Sequence, residues 1–184
     1  MANLKVPVAP ADHVLGDENA PVTLVEYGDY ECPHCGHAHP IVKAVKKHFG
    51  KQLRFVYRHF PLTQIHPHAE TAAEAAEFAG VNGRFWDMHD GILENQDRLS
   101  IPLLVELAEE LELSADDLAV ALQSSEFAPV VKAQFMGGVR SGVNGTPTFF
   151  VNGYRYEGLH EFEDLVEAID AVLVESQSGR RRAG

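Results

Sequence analysis

Val25-Glu26-Tyr27-Gly28-Asp29-Tyr30-Glu31-Cys32-Pro33-His34-Cys35 joins a β-rich run to the start of a helix. The run begins at Val22 and is apolar on both faces, the pattern of a central, covered strand. Gly28 and Asp29 break it. Pro33 suits a first helical turn, where its missing N–H costs no hydrogen bond. Ile41, Val42, Val45 and Phe49 continue at helical spacing, and Pro40 among them predicts a kink. Leu53-Arg54-Phe55-Val56-Tyr57-Arg58 is a second strand. Strand, turn, helix and strand form a βαβ unit.

The two cysteines of the chain are both in this turn, three positions apart. A disulfide framework would need more of them, spread along the chain. At a helix N-terminus, free N–H groups and the helix dipole favour an anion, so Cys32 is placed to be a reactive thiolate. Cys35, one turn further on, can close the ring, and exchange then runs through a mixed disulfide on Cys32. His34 can donate to that thiolate or, protonated, attract it. Because only the reduced form carries the thiolate, stabilising it makes the disulfide more oxidising. A metal site is the alternative. His37 and His39 follow the pair, and on a helix Cys32, Cys35 and His39 share a face while His37 does not.

Outward from this unit, helical periodicity dominates. Ala69, Ala72, Ala73 and Ala76 mark one helix; Phe85, Met88, Ile92 and Leu93 a second; Leu103, Leu104, Leu107, Ala108 and Leu111 a third. Ser114, with Asp117 three residues on, can cap a fourth, and Val130, Val131, Phe135 and Val139 mark a fifth. Strand signals return at Thr148-Phe149-Phe150-Val151 and Tyr154-Arg155-Tyr156, with Asn152-Gly153 as a tight turn between them. Phe162, Leu165, Val166, Ile169, Val172 and Leu173 form the stripe of a last helix. Residues 1–21 read as an irregular lead-in broken by Pro7, Pro10, Gly16 and Pro21.

Composition narrows the functions. With 45% hydrophobic and 23% charged residues the chain can build a core. A formal net charge of −12 argues against nucleic acid, which needs clustered Lys and Arg. The one basic cluster, Arg180-Arg181-Arg182, reads as part of a solvated tail. No apolar run approaches the roughly 18 residues of a membrane span. The N-terminus has no secretory signal pattern, which predicts a cytoplasmic protein as given, or a periplasmic or other extracytoplasmic one if the chain is a mature or trimmed form.

The quoted segment, with its Cys-Pro-His-Cys pair, resembles the active-site segment of DsbA-like thiol–disulfide oxidoreductases of the thioredoxin superfamily. The resemblance spans about residues 14–174 and has two further parts. Gly145-Thr146-Pro147-Thr148 resembles the family's cis-proline segment, and the helical stretch between the second and third strands resembles its inserted helices. It implies an α/β thioredoxin fold with an inserted helical subdomain: residues 14–62 and 144–175 as a discontinuous thioredoxin-like domain, 63–143 as the insertion, 176–184 as a flexible tail. It also implies Pro147 in cis beside the cysteines and Thr146 offering backbone hydrogen bonds to an extended substrate. Glu26 matches an acidic position beneath the family's active site. Sharing a strand face with Val22 and Leu24, it is expected to be buried and to accept a proton from Cys35. No cofactor is implied. The implied partners are thiol- or disulfide-containing proteins and a protein that recycles the pair.

Overall fold

The computed structural model describes the backbone of residues 3–182 and the side chains through Glu175. The predicted central strand is β2 (Val22–Gly28), and it pairs in parallel with β3 (Leu53–His59), with Val22 opposite Leu53 and Gly28 opposite His59. Between them runs α1 (Pro33–Phe49), one helix that continues through Pro40. On its other side β2 pairs antiparallel with β4 (Thr148–Val151), which turns through Asn152-Gly153 into β5 (Tyr154–Arg155). Asn152 and Gly153 both take positive φ, as a tight two-residue turn requires.

One strand was not legible. His13–Leu15, inside the expected irregular lead-in, is β1 and lies antiparallel to β3, giving a five-stranded sheet in the order β1-β3-β2-β4-β5. Three residues are too few to show a period of two, and the free edge of β3 makes the pairing. The expected strand at Tyr154–Tyr156 is one residue shorter.

Alternation along β2 splits the interior. Val22, Leu24 and Glu26 face the larger core with Leu53, Phe55, Tyr57, Phe149 and Val151, whereas Val25 and Tyr27 meet Val56, Phe60 and Phe150 on the other face. Five helices separate β3 from β4: α2 (Ala69–Val81), α3 (Phe85–Glu94), α4 (Ile101–Glu110), α5 (Ala115–Ser124) and α6 (Ala128–Arg140). Ser114 caps α5 by accepting from the Asp117 N–H at 3.1 Å, as its spacing predicts, and Ser100 caps α4 in the same way. Met88, Ile92 and Leu104 of this insertion join the strand residues Phe55 and Tyr57 in one continuous buried cluster. At Gly138 of α6 a Cβ would stand 2.6 Å from the Phe60 ring, so only glycine lets α6 lie this close to β3's exit. The last helix, α7 (Phe162–Arg182), packs on α1, β2 and β4. It stays helical through residues read as a tail; the side chains beyond Glu175, including the arginine cluster, and residues 183–184 lie outside the described residues.

A buried polar knot ties the insertion to the sheet. Glu77 of α2 accepts from His13 Nε2 of β1 at 3.0 Å and His59 Nε2 of β3 at 2.9 Å, and Gln134 of α6 reaches both Glu77 and the His59 N–H. Burial pushes the Glu77 carboxyl up, but the bonds from the two histidines outweigh it and hold it down at about 2. Glu77→Ala leaves two imidazoles without their acceptor and is expected to lower stability by about 1–3 kcal/mol at neutral pH, the cost of leaving buried polar groups unsatisfied. Because the folded-state value lies below the ordinary 4.5, this contribution is present above pH 4.5 and is lost as pH falls toward 2. Urea midpoints of parent and variant should therefore converge through that window.

Candidate active site

The turn leaving β2 is held from below before the cysteines are reached. Asp29, 1% exposed, takes the Glu31 N–H on Oδ1, and the Leu62 N–H and His66 Nδ1 on Oδ2, each at 2.8 Å. Burial pushes the His66 imidazole down, but the bond to Asp29 more than offsets this and its pKa is raised. Gln96, in the single 3-10 turn after α3, donates to the carbonyls of Tyr30 at 2.8 Å and Cys32 at 2.9 Å. A Cβ at Gly36 would collide with the Gln96 side chain, so the second residue type needed for this clamp is glycine.

Cys32 is the N-cap of α1, with an extended backbone (φ −74°, ψ 120°), and Pro33 follows it in the first turn as predicted. Its carbonyl accepts from the N–H groups of Cys35 at 3.0 Å and Gly36 at 3.2 Å. Both cysteines are thiols in this structure; Cys32 is 4% exposed and Cys35 1%. The Asp29 N–H donates to Cys35 Sγ at 3.4 Å. Above Cys32 the loop entering β4 brings the Thr146 carbonyl to 3.4 Å of its Sγ, and the Thr146–Pro147 peptide is cis. Pro33 and His34 face outward and are exposed.

The two sulfurs are electrostatically unlike. A hydrogen bond from the Cys35 thiol, helped by the Thr146 side chain and the backbone N–H groups of Cys35 and His34, outweighs burial and lowers the Cys32 pKa to about 5. Burial, then the proton Cys35 gives to Cys32, then the charge of Glu26, push the Cys35 thiol well up. His34 thus acts on Cys32 through its backbone N–H; its imidazole is not among the leading influences. Glu26 is 4% exposed, and burial together with the Cys32 charge raises its carboxyl to about 8, against the pull of Lys46 on α1. Lys46 is itself pushed down by burial, with its ammonium 5.3 Å from the centre of the Phe55 ring.

All seven residues singled out from sequence fall at one place: Cys32, Cys35, Pro33 and His34 at the head of α1, Glu26 on the β2 face beneath, Thr146 and Pro147 above. The ligand set of Cys32, Cys35 and His39 is not assembled. Among the described residues, the groups of three or more ligand-type side chains are His13/His59/Glu77 and His39/His89/Asp90, neither with a cysteine. His39 turns toward α3, and His37 is exposed beside Glu161 at 3.5 Å. Sequence reasoning passed over Asp29, His66, Gln96 and Lys46. Asp29 lies within the quoted segment and its acidity was the available signal; nothing local marks Gln96.

A family model described as Thioredoxin matches residues 8–171. Among solved structures, oxidised BdbD from Bacillus subtilis superposes with a TM-score of 0.80 at 27% identity, covering 87% of this chain and 91% of that one. A thioredoxin-like oxidoreductase from Silicibacter pomeroyi gives 0.73 at 28% identity, covering 89% and 92%. The α-DsbA1 of Wolbachia pipientis gives 0.83 at 20% identity, covering 96% and 97%, a likeness of fold. Among curated proteins, Na(+)/H(+) antiporter NhaA 1 of Salinispora arenicola is 46% identical over 172 residues, which is 93% of this chain and 26% of that protein. NhaA 3 of Salinispora tropica is 45% identical over 95% of this chain and 27% of that protein. The chain thus spans about a quarter of the length of these relatives. With the family model across the β1-to-α7 framework and a cysteine pair at the head of α1, the chain belongs to the thioredoxin superfamily, with a DsbA-like fold.

Proposed function

We propose that the protein exchanges disulfides with protein or peptide thiols through Cys32 and Cys35. The observation that carries this reading is the pair of thiols at the head of α1, Cys32 as the N-cap beside the Thr146 carbonyl and Cys35 buried one turn inside; its consequence is a Cys32 thiol displaced down to about 5 and a Cys35 thiol displaced well up. At neutral pH Cys32 is the thiolate. It attacks one sulfur of a substrate disulfide; a Cys32–substrate bond forms, the substrate's own S–S bond breaks, and its other sulfur leaves as a thiolate. Cys35, after losing its proton, attacks Cys32 Sγ, closes the protein disulfide and releases the reduced substrate. Run in reverse, the same steps pass the protein disulfide to a dithiol substrate. Glu26, buried below the pair, is the proton acceptor for Cys35. The Thr146 carbonyl and the turn at Pro147 present backbone to an extended substrate beside Cys32.

The lowered Cys32 pKa stabilises the reduced protein, so the couple favours the direction in which it gives its disulfide away. That suits the oxidising, extracytoplasmic alternative better than a reducing compartment. No helix among the described residues is long and apolar enough to cross a membrane. The relatives bearing the name Na(+)/H(+) antiporter match this chain in only about a quarter of their length, so that name covers far more protein than the part this chain resembles. A second redox protein must recycle the pair.

Cys35→Ser should accumulate mixed disulfides with substrate, seen as thiol-sensitive adducts on non-reducing gels, and Cys32→Ser should not; the reverse pattern would exchange the two roles. The ultraviolet thiolate absorbance of reduced protein should titrate near pH 5. Cys35→Ala removes the leading donor and should move that midpoint up, whereas His34→Ser keeps the backbone N–H and should move it less. Glu26→Gln should slow closure of the protein disulfide from the mixed disulfide by about 100-fold above pH 8, where Glu26 is ionised and can accept the Cys35 proton. Since the folded Glu26 pKa is raised from 4.5 to about 8, ionising it costs stability as pH rises through that window, so the same variant should gain stability relative to parent between those values.

A further inference from the structure

Disulfide exchange leaves unused a second cluster of side chains, packed between α1 and α3. His39 lies one turn after Cys35 on α1, its side chain is 7% exposed, and its Nε2 has no hydrogen-bond partner. We propose that His39, His89 and Asp90, with Glu94 at the rim, bind a divalent transition-metal ion of the zinc type.

Spacing separates a ligand set from a hydrogen-bonded one. His39 Nε2 is 3.6 Å from Asp90 Oδ1 and 3.7 Å from Glu94 Oε1. Both distances are too long for a hydrogen bond. Donors about 2.0–2.1 Å from one tetrahedral zinc ion stand about 3.3–3.4 Å apart, so His39 lies a few tenths of an ångström beyond ligand spacing from each carboxylate. The donor atoms of His39, His89 and Asp90 all lie within 4.8 Å of one another. In the other cluster, His13, His59 and Glu77 are already joined at 2.9–3.0 Å and their carboxylate is consumed.

The surroundings fit an ion as well. The Tyr30 hydroxyl meets His89 Nδ1 at 3.0 Å and fixes the ring; metal-bound histidines are usually oriented by such a bond to one ring nitrogen. Two imidazoles with one or two carboxylates suit zinc, cobalt or nickel rather than calcium or magnesium, which take oxygen ligands. A cleft of about 430 Å³, lined by Gly36, His39, Pro40, Lys43, Leu93 and Glu94, gives entry from solvent. Lys43 Nζ now holds Asp90 Oδ2 at 3.0 Å and Glu94 Oε1 at 2.8 Å, standing where a cation is wanted. As a half-exposed ion pair it is worth about 0–1 kcal/mol and is displaceable. The ion would join the helix that carries the cysteines to the inserted helices.

The test uses protein oxidised to the Cys32–Cys35 disulfide, so that no thiolate competes. Calorimetric titration with zinc chloride should give one ion per chain, and cobalt(II) should give the visible absorption of a tetrahedral nitrogen–oxygen site. Zinc should raise the melting temperature. Binding should weaken about tenfold or more in His39→Ala and, where that variant folds poorly, in the half-exposed Asp90→Asn. Lys43→Ala should bind more tightly, and His37→Ala should match the parent. Absence of saturable zinc uptake by the oxidised protein, or parent-like binding in Asp90→Asn, overturns the proposal.

Discussion

The opposite displacement of the Cys32 and Cys35 thiols, the outer one down and the inner one up, is the constraint on which the site depends. Two chemically identical side chains three residues apart would titrate together in water. Here one sits at an open helix end under the Thr146 loop and the other one turn inside, 1% exposed, where its own ionisation is opposed by burial and by Glu26. A proton shared downward stabilises charge on the outer sulfur and opposes it on the inner one. The asymmetry is thus a product of position, set by the helix start at Pro33 and by the register that puts Glu26 on the inward face of β2.

That position is maintained from outside the βαβ unit. Gln96 fixes the carbonyls of Tyr30 and Cys32, Asp29 binds back to Leu62 and His66, and both partners come from segments beyond β3. The inserted helices are in turn anchored by apolar packing of Met88, Ile92 and Leu104 and by the Glu77 knot. A charged group buried this deeply is tolerated because each oxygen of Glu77 has an imidazole partner. The insertion therefore supports the redox turn directly.

The sequence made some of this legible and not the rest, for physical reasons. β2, β3 and α1 were visible because their apolar patterns are long and bounded by breakers, and the Asn152-Gly153 turn because few residues accept positive φ. β1 has three residues and exists only by virtue of β3's edge. Burial of Glu26 follows from strand alternation alone, and the structure bears it out. The expected action of the His34 imidazole on the thiolate rests on residue type; His34 is exposed, and its imidazole is not among the leading influences on Cys32. Gln96 and His66 could not be found, since contacts across 66 and 37 positions leave no local signature.

The proposed exchange rests on stabilised charge at Cys32, which favours a disulfide that accepts electrons. Equilibration of the Cys32–Cys35 couple with glutathione buffers of graded composition, read by the fraction of protein thiols alkylated, measures this directly. The expected midpoint potential lies above that of the cytosolic glutathione pool, higher than about −220 mV. A midpoint at or below the about −270 mV of thioredoxin would contradict it, because the reduced form would then gain nothing from the thiolate's surroundings.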